Sequence, residues 1–266
     1  MNGLWTESFG EVGATLRALE TQGITANHLK WLRSDSEMAV NLVRFWKKGA
    51  KTEKIYSESD SQAASRRTMG MNYLGPDDVA RQFGVRFSDE ELQQIATVPY
   101  KPSILRALKD DYILFLGYPL SIRELAERFP RLIHTNCDGI WGKATPQYIL
   151  DRGAEIVSVP TITLRWYLMR IGRCPKADGL KYEDQVKKLE SHELVPSANE
   201  MVYGVILRHL VNTEPLLTDA LRCSDAFSNH EQVRVCHGGN QEARYLYLES
   251  QENNTQGCVY IATRYA

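Results

Sequence analysis

The spacing of apolar positions changes character near residue 110. Before it, apolar residues recur at helical intervals. Val12, Leu16 and Leu19 share one face of a helix predicted over 8–22, and a second short helix runs from Thr25 or Asn27 to Leu32. A third begins at Ser36-Glu37, turns Val40, Val43 and Phe45-Trp46 to a core, and closes at Gly49. The stretch 51–67 is polar and Ser-rich with no apolar period, and reads as a loop or linker. Gly75-Pro76-Asp77-Asp78 then opens a short helix ending at Gly84, with proline early and acids in the first turn. Ser88, followed three residues later by Glu91, caps another helix that stops before Pro99.

After residue 110 the runs shorten and become β-like. The run 112–118 is continuous and apolar, as in a buried strand. Ser121 caps a helix from Ile122 to Phe129, and 135–146 is loop. The segments 155–159 and 164–171 alternate as strands do, while 176–194 is a charged connection with room for one helix. Ser197 and Glu200 cap an apolar helix through Met201, Val205 and Leu210. Strands follow at 221–224, 232–236, 244–248 and 257–264, separated by Ser/Asn/Gly turns. The chain therefore reads as α+β, with a helical N-terminal region over 1–105 and a mixed α/β domain over 106–266.

Composition narrows the class without naming a reaction. With 43% hydrophobic and 24% charged residues, the chain resembles an ordinary globular protein. A net charge of −1 lacks the basic surplus of a dedicated nucleic-acid binder. No apolar run approaches the roughly 20 residues of a membrane span, and Met1 to Glu7 has no signal-peptide character, so a cytoplasmic protein is expected. The five cysteines, Cys137, Cys174, Cys223, Cys236 and Cys258, are widely spaced and read as reduced thiols. A Cys223–Cys236 or Cys236–Cys258 bridge is the alternative.

The candidate chemistry is thin. The helical pair over 76–96 has helix-turn-helix spacing, but its second helix begins Ser88-Asp89-Glu90-Glu91, which repels phosphate. Cys236-His237, with Cys223 and Cys258, lacks the close pairs of a structural zinc site. His237-Gly238-Gly239-Asn240 resembles an oxyanion loop, yet no Gly-x-Ser-x-Gly elbow accompanies it. No phosphate loop or dinucleotide fingerprint occurs, and no cofactor is implied. Asp225, Glu231, Glu242, Glu249 and Glu252 read as solvated acids. Tyr245, Tyr247 and Tyr260 lie among short polar residues, the mixture that paratope-like surfaces use; alternation along one sheet face explains the same pattern.

Four blocks carry a family resemblance: Pro196 to Tyr203, Leu221 to Asp225, Gln232 to Cys236 and Gly257 to Arg264, with Tyr118-Pro119-Leu120-Ser121-Ile122 upstream. They look like the C-terminal half of a group of microbial proteins whose endings resemble the variable proteins of diversity-generating retroelements. That resemblance implies a C-type-lectin-like mixed sheet and a non-enzymatic display surface for a protein or other macromolecular ligand. The display residues it implies are Asn240, Tyr245, Tyr247, Ser250, Asn253, Asn254, Thr255 and Tyr260. Adenine-directed diversification of Asn codons cannot produce Gln241, Glu242, Glu249, Gln251, Glu252 or Gln256, so a non-diversified relative fits as well. The competing expectations are a DNA-binding regulator built on 76–96 and an enzyme using a reactive pair among Cys223, Cys236 and Cys258. Nothing in the sequence fixes the oligomeric state.

Overall fold

A computed structural model describes residues 55–133, 154–170, 172, 174–212, 216–217, 220–228, 231–239, 244–252, 260–261 and 264–265. The chain divides into two compact units, Met1–Thr52 and Glu53–Ala266, and the described residues all belong to the second. The three helices expected over 8–49 and the loop over 135–146 lie outside the described residues.

The unit is α+β. Its helices among the described residues are α1 (Asp60–Met69), α2 (Pro76–Phe83), α3 (Asp89–Ile95), α4 (Pro102–Leu108), α5 (Ile122–Arg128), α6 (Ala154–Ser158), α7 (Tyr182–Lys187) and α8 (Ala198–Asn212). The strands are β1 (Tyr73–Leu74), β2 (Tyr112–Leu116), β3 (Trp166–Arg170), β4 (Glu193–Leu194), β5 (Leu221–Ser228), β6 (Glu231–Gly239), β7 (Arg244–Glu252), β8 (Tyr260–Ile261) and β9 (Arg264–Tyr265). Five strands form one mixed sheet in the order β1-β2-β3-β9-β4, and four form a second in the order β7-β6-β5-β8.

The long helix α8 lies against both sheets. Its Tyr203 donates to Leu116 O at 3.2 Å, and its ring sits 5.9 Å from Phe115 in the first sheet. Gly204 lets the two elements meet closely: a Cβ there would fall 2.6 Å from Met169 Cε and 3.0 Å from the Phe115 ring. The same helix also packs on β5 and β6 of the second sheet. On the opposite side of the first sheet, Trp166 packs at a tilt against Tyr73, centroids 5.4 Å apart, and donates from Nε1 to Ile95 O at 2.8 Å. β2 is buried along its whole length, which is why it reads as an unbroken apolar run.

The expected division at residue 105/106 falls inside α4. β1, from before it, pairs in parallel with β2, from after it, through Tyr73 opposite Leu114.

Four segments differ from expectation. The stretch read as a linker contains α1, because Ser59 and Gln62 form a reciprocal capping box (3.2 and 3.1 Å). The buried face of α1 is Gln62, Ser65 and Met69, so polar residues conceal its period. Gln62 is satisfied there by donating to Ile95 O at 3.0 Å. Segment 155–159, expected as a strand, instead belongs to α6, which packs on α5 and α8. A five-residue segment with three apolar residues fits either geometry, and packing decides between them. α4 was not foreseen; Pro102 at its first turn starts it and Leu105 anchors it. The connection 176–194 contains α7 and also β4.

Candidate functional site

Leu120, Asp225 and Arg264, from three of the blocks that carry the family resemblance, meet the N-terminus of α8, which a fourth block forms. Ser197 and Glu200 close a capping box, with Ser197 N–H donating to Glu200 Oε2 at 2.9 Å and Glu200 N–H to Ser197 Oγ at 3.1 Å. Asn199 bridges two loops: its Oδ1 accepts from Thr161 and Ile162 N–H (2.9 and 3.1 Å), and its Nδ2 donates to Leu120 O at 2.9 Å. Asp225 of β5 accepts from Ala198 N–H at 2.5 Å. Burial raises its carboxyl above the ordinary range, and that hydrogen bond opposes the shift. Glu200 also pairs with Arg264 of β9 (3.1 Å) and Arg165 (3.6 Å). Four stretches far apart in sequence, at Leu120, 161–165, Asp225 and Arg264, are thus joined to one helix end, where the macrodipole favours both carboxylates.

The second constellation lies on the β5–β6–β7 sheet. β6 and β7 pair without interruption from Glu231–Glu252 to Gly239–Arg244. Leu246 and Leu248 are buried against the core, while Tyr245 and Glu249, at alternate positions, stay partly exposed. Arg234 and Glu249 face each other across the strands at 2.6 Å, and Cys236 Sγ–H donates to Glu249 at 3.4 Å. Arg222, opposite Arg234, is fully buried and donates to Gln185 Oε1 of α7 at 3.1 Å. Burial first, then the neighbouring Arg234, lowers its guanidinium to about 10.

The predicted display residues fall in different places. Tyr245 is half-buried opposite Gly238, and Tyr247 occupies the register position opposite Cys236. Ser250 pairs with Val233 and Tyr260 with Leu221, the register rows of two buried core residues. Positions 245 and 247 therefore share one face of β7, and position 250 belongs to the other. Asn240, Asn253, Asn254 and Thr255 lie outside the described residues. Arg234, Arg222 and Gln185 escaped the sequence reading; only strand register and the docking of α7 bring them together.

The competing motifs are built as follows. α2 buries Pro76, Asp77, Val79, Ala80 and Phe83, and the seven-residue α3 exposes Asp89 and Glu90. Cys223 is a fully buried free thiol that burial pushes well above its ordinary range. Cys174 is likewise buried, with its thiol raised. Among the described residues, no group of His, Cys, Asp and Glu is placed to hold a metal ion, and no helix is long and apolar enough to cross a membrane. Comparison with family models, with curated proteins and with solved structures yields no match.

Proposed function

We propose that this protein is a non-enzymatic binding protein. In this reading a C-type-lectin-like scaffold, related to the variable proteins of diversity-generating retroelements or to a non-diversified branch of them, presents the β6–β7 hairpin to a macromolecular ligand. The observation that carries it is the alternation along β7: Leu246 and Leu248 are buried in the core, while Tyr245 and Glu249, at alternate positions, stay partly exposed. A rigid strand with tyrosines on one side offers large contact area at small entropic cost. The polar groups at the start of α8 support the same reading, since Glu200, Asn199 and Asp225 are engaged in joining the scaffold.

A photo-crosslinking residue placed at position 245 or 247 tests the proposal. The expected result is one discrete adduct from both positions in the native cell extract, absent from Arg106 on α4, and lost when Tyr245, Tyr247 and Asn253 are replaced by Ala outside the labelled position. Identical adducts from all three positions would overturn it.

A further inference from the structure

We draw no further inference here: the strongest candidate, the outer edge of β7, which among the described residues is met only at Leu246, by Leu132 and Ile133, carries nothing, since nothing in the structure shows what covers its remaining length.

Discussion

Arg264 donates from Nε to Glu200 Oε2 at 3.1 Å across 64 positions of sequence, tying β9 to the first turn of α8. Both side chains are largely withdrawn from solvent, at 17% and 6% exposure. Removing one partner of such a pair leaves the other charge uncompensated. Glu200→Gln and Arg264→Met should each cost about 2–4 kcal/mol. The double variant should cost less than their sum by about 1–3 kcal/mol. Urea unfolding of the four proteins measures this coupling, and additive losses would show that the two residues act independently.

The acid limb of stability should depend on Glu193. Burial alone would raise its carboxyl, but Glu190 N–H, Lys176 and Tyr112 together outweigh burial and hold it below its ordinary range. A depressed folded value contributes stability above the unfolded value of about 4.3, and that contribution is lost as pH falls through the folded value. Glu193→Gln should therefore cost about 1.5–3 kcal/mol at pH 7. The gap to wild type should close as pH falls below about 4. Asp225, whose carboxyl is raised, contributes with the opposite sign: its share of stability falls as pH rises through the window between its unfolded and folded values. A gap for Glu193→Gln that stays constant with pH would refute the assignment.

These two anchors also show which part of the molecule was legible in advance. Ser88/Glu91, Ser197/Glu200 and the cap Ser121 are local signals that fix helix starts within four residues, and each forms as expected, Ser121 with Glu124 completing a capping box. Ser59/Gln62 is the same signal, yet α1 was missed because its buried face is Gln62 and Ser65 as well as Met69. Alternation around Tyr245 announced a strand, but the face given to each residue depends on pairing. Ser250 sits in the Val233 row and Tyr260 in the Leu221 row, and only the register shows this. Glu200–Arg264, Arg234–Glu249 and Arg222–Gln185 likewise arise from topology, which no local pattern encodes.

Gly204 should resist enlargement. In a helix interior, alanine ordinarily gains about 1 kcal/mol over glycine. Here the new methyl group would press on Met169 Cε, which is flexible, and on the Phe115 ring, which is not. Overpacking of about 1–3 kcal/mol should outweigh the helical gain and leave Gly204→Ala less stable. Met169→Ala in the same chain should relieve part of that strain, so the pair should be less destabilised than the sum. A stabilised Gly204→Ala protein would mean that α8 shifts away from the sheet at little cost.

Cys223 offers a direct discrimination between a binding scaffold and thiol chemistry. A nucleophilic cysteine requires a thiolate near neutral pH and access to solvent. Cys223 is fully buried, and its thiol is pushed well above the ordinary range by desolvation, reinforced by Asp225. In the native protein, iodoacetamide should label Cys223 only as fast as the surrounding structure opens, at least a hundredfold more slowly than after denaturation in urea, consistent with the wide free-energy range of local opening. Peptide mass spectrometry over a time course assigns the rate to this residue. Labelling at the unfolded rate in the folded protein would place a reactive thiol at the root of β5 and return the enzymatic reading to contention.

Arg222 allows the sharpest test of how α7 is held on the second sheet. Its guanidinium is fully buried, donates to the neutral amide of Gln185, and stands opposite Arg234, whose like charge helps lower it to about 10. Gln185 in turn donates to Ala177 O at 3.1 Å, so one amide joins β5 to the segment before α7. Gln185→Ala removes an acceptor from a buried cation and should cost about 2–3 kcal/mol. Arg222→Met removes the buried charge while keeping an extended apolar stem, and replacement of buried ionic groups in this way is often neutral or stabilising. The same two positions should thus respond in opposite senses, and in the Arg222→Met background Gln185→Ala should lose most of its effect. Chemical denaturation of the three variants measures that order. A strongly destabilised Arg222→Met protein would show that the guanidinium itself, through its further contacts, is what fastens α7 to the strand.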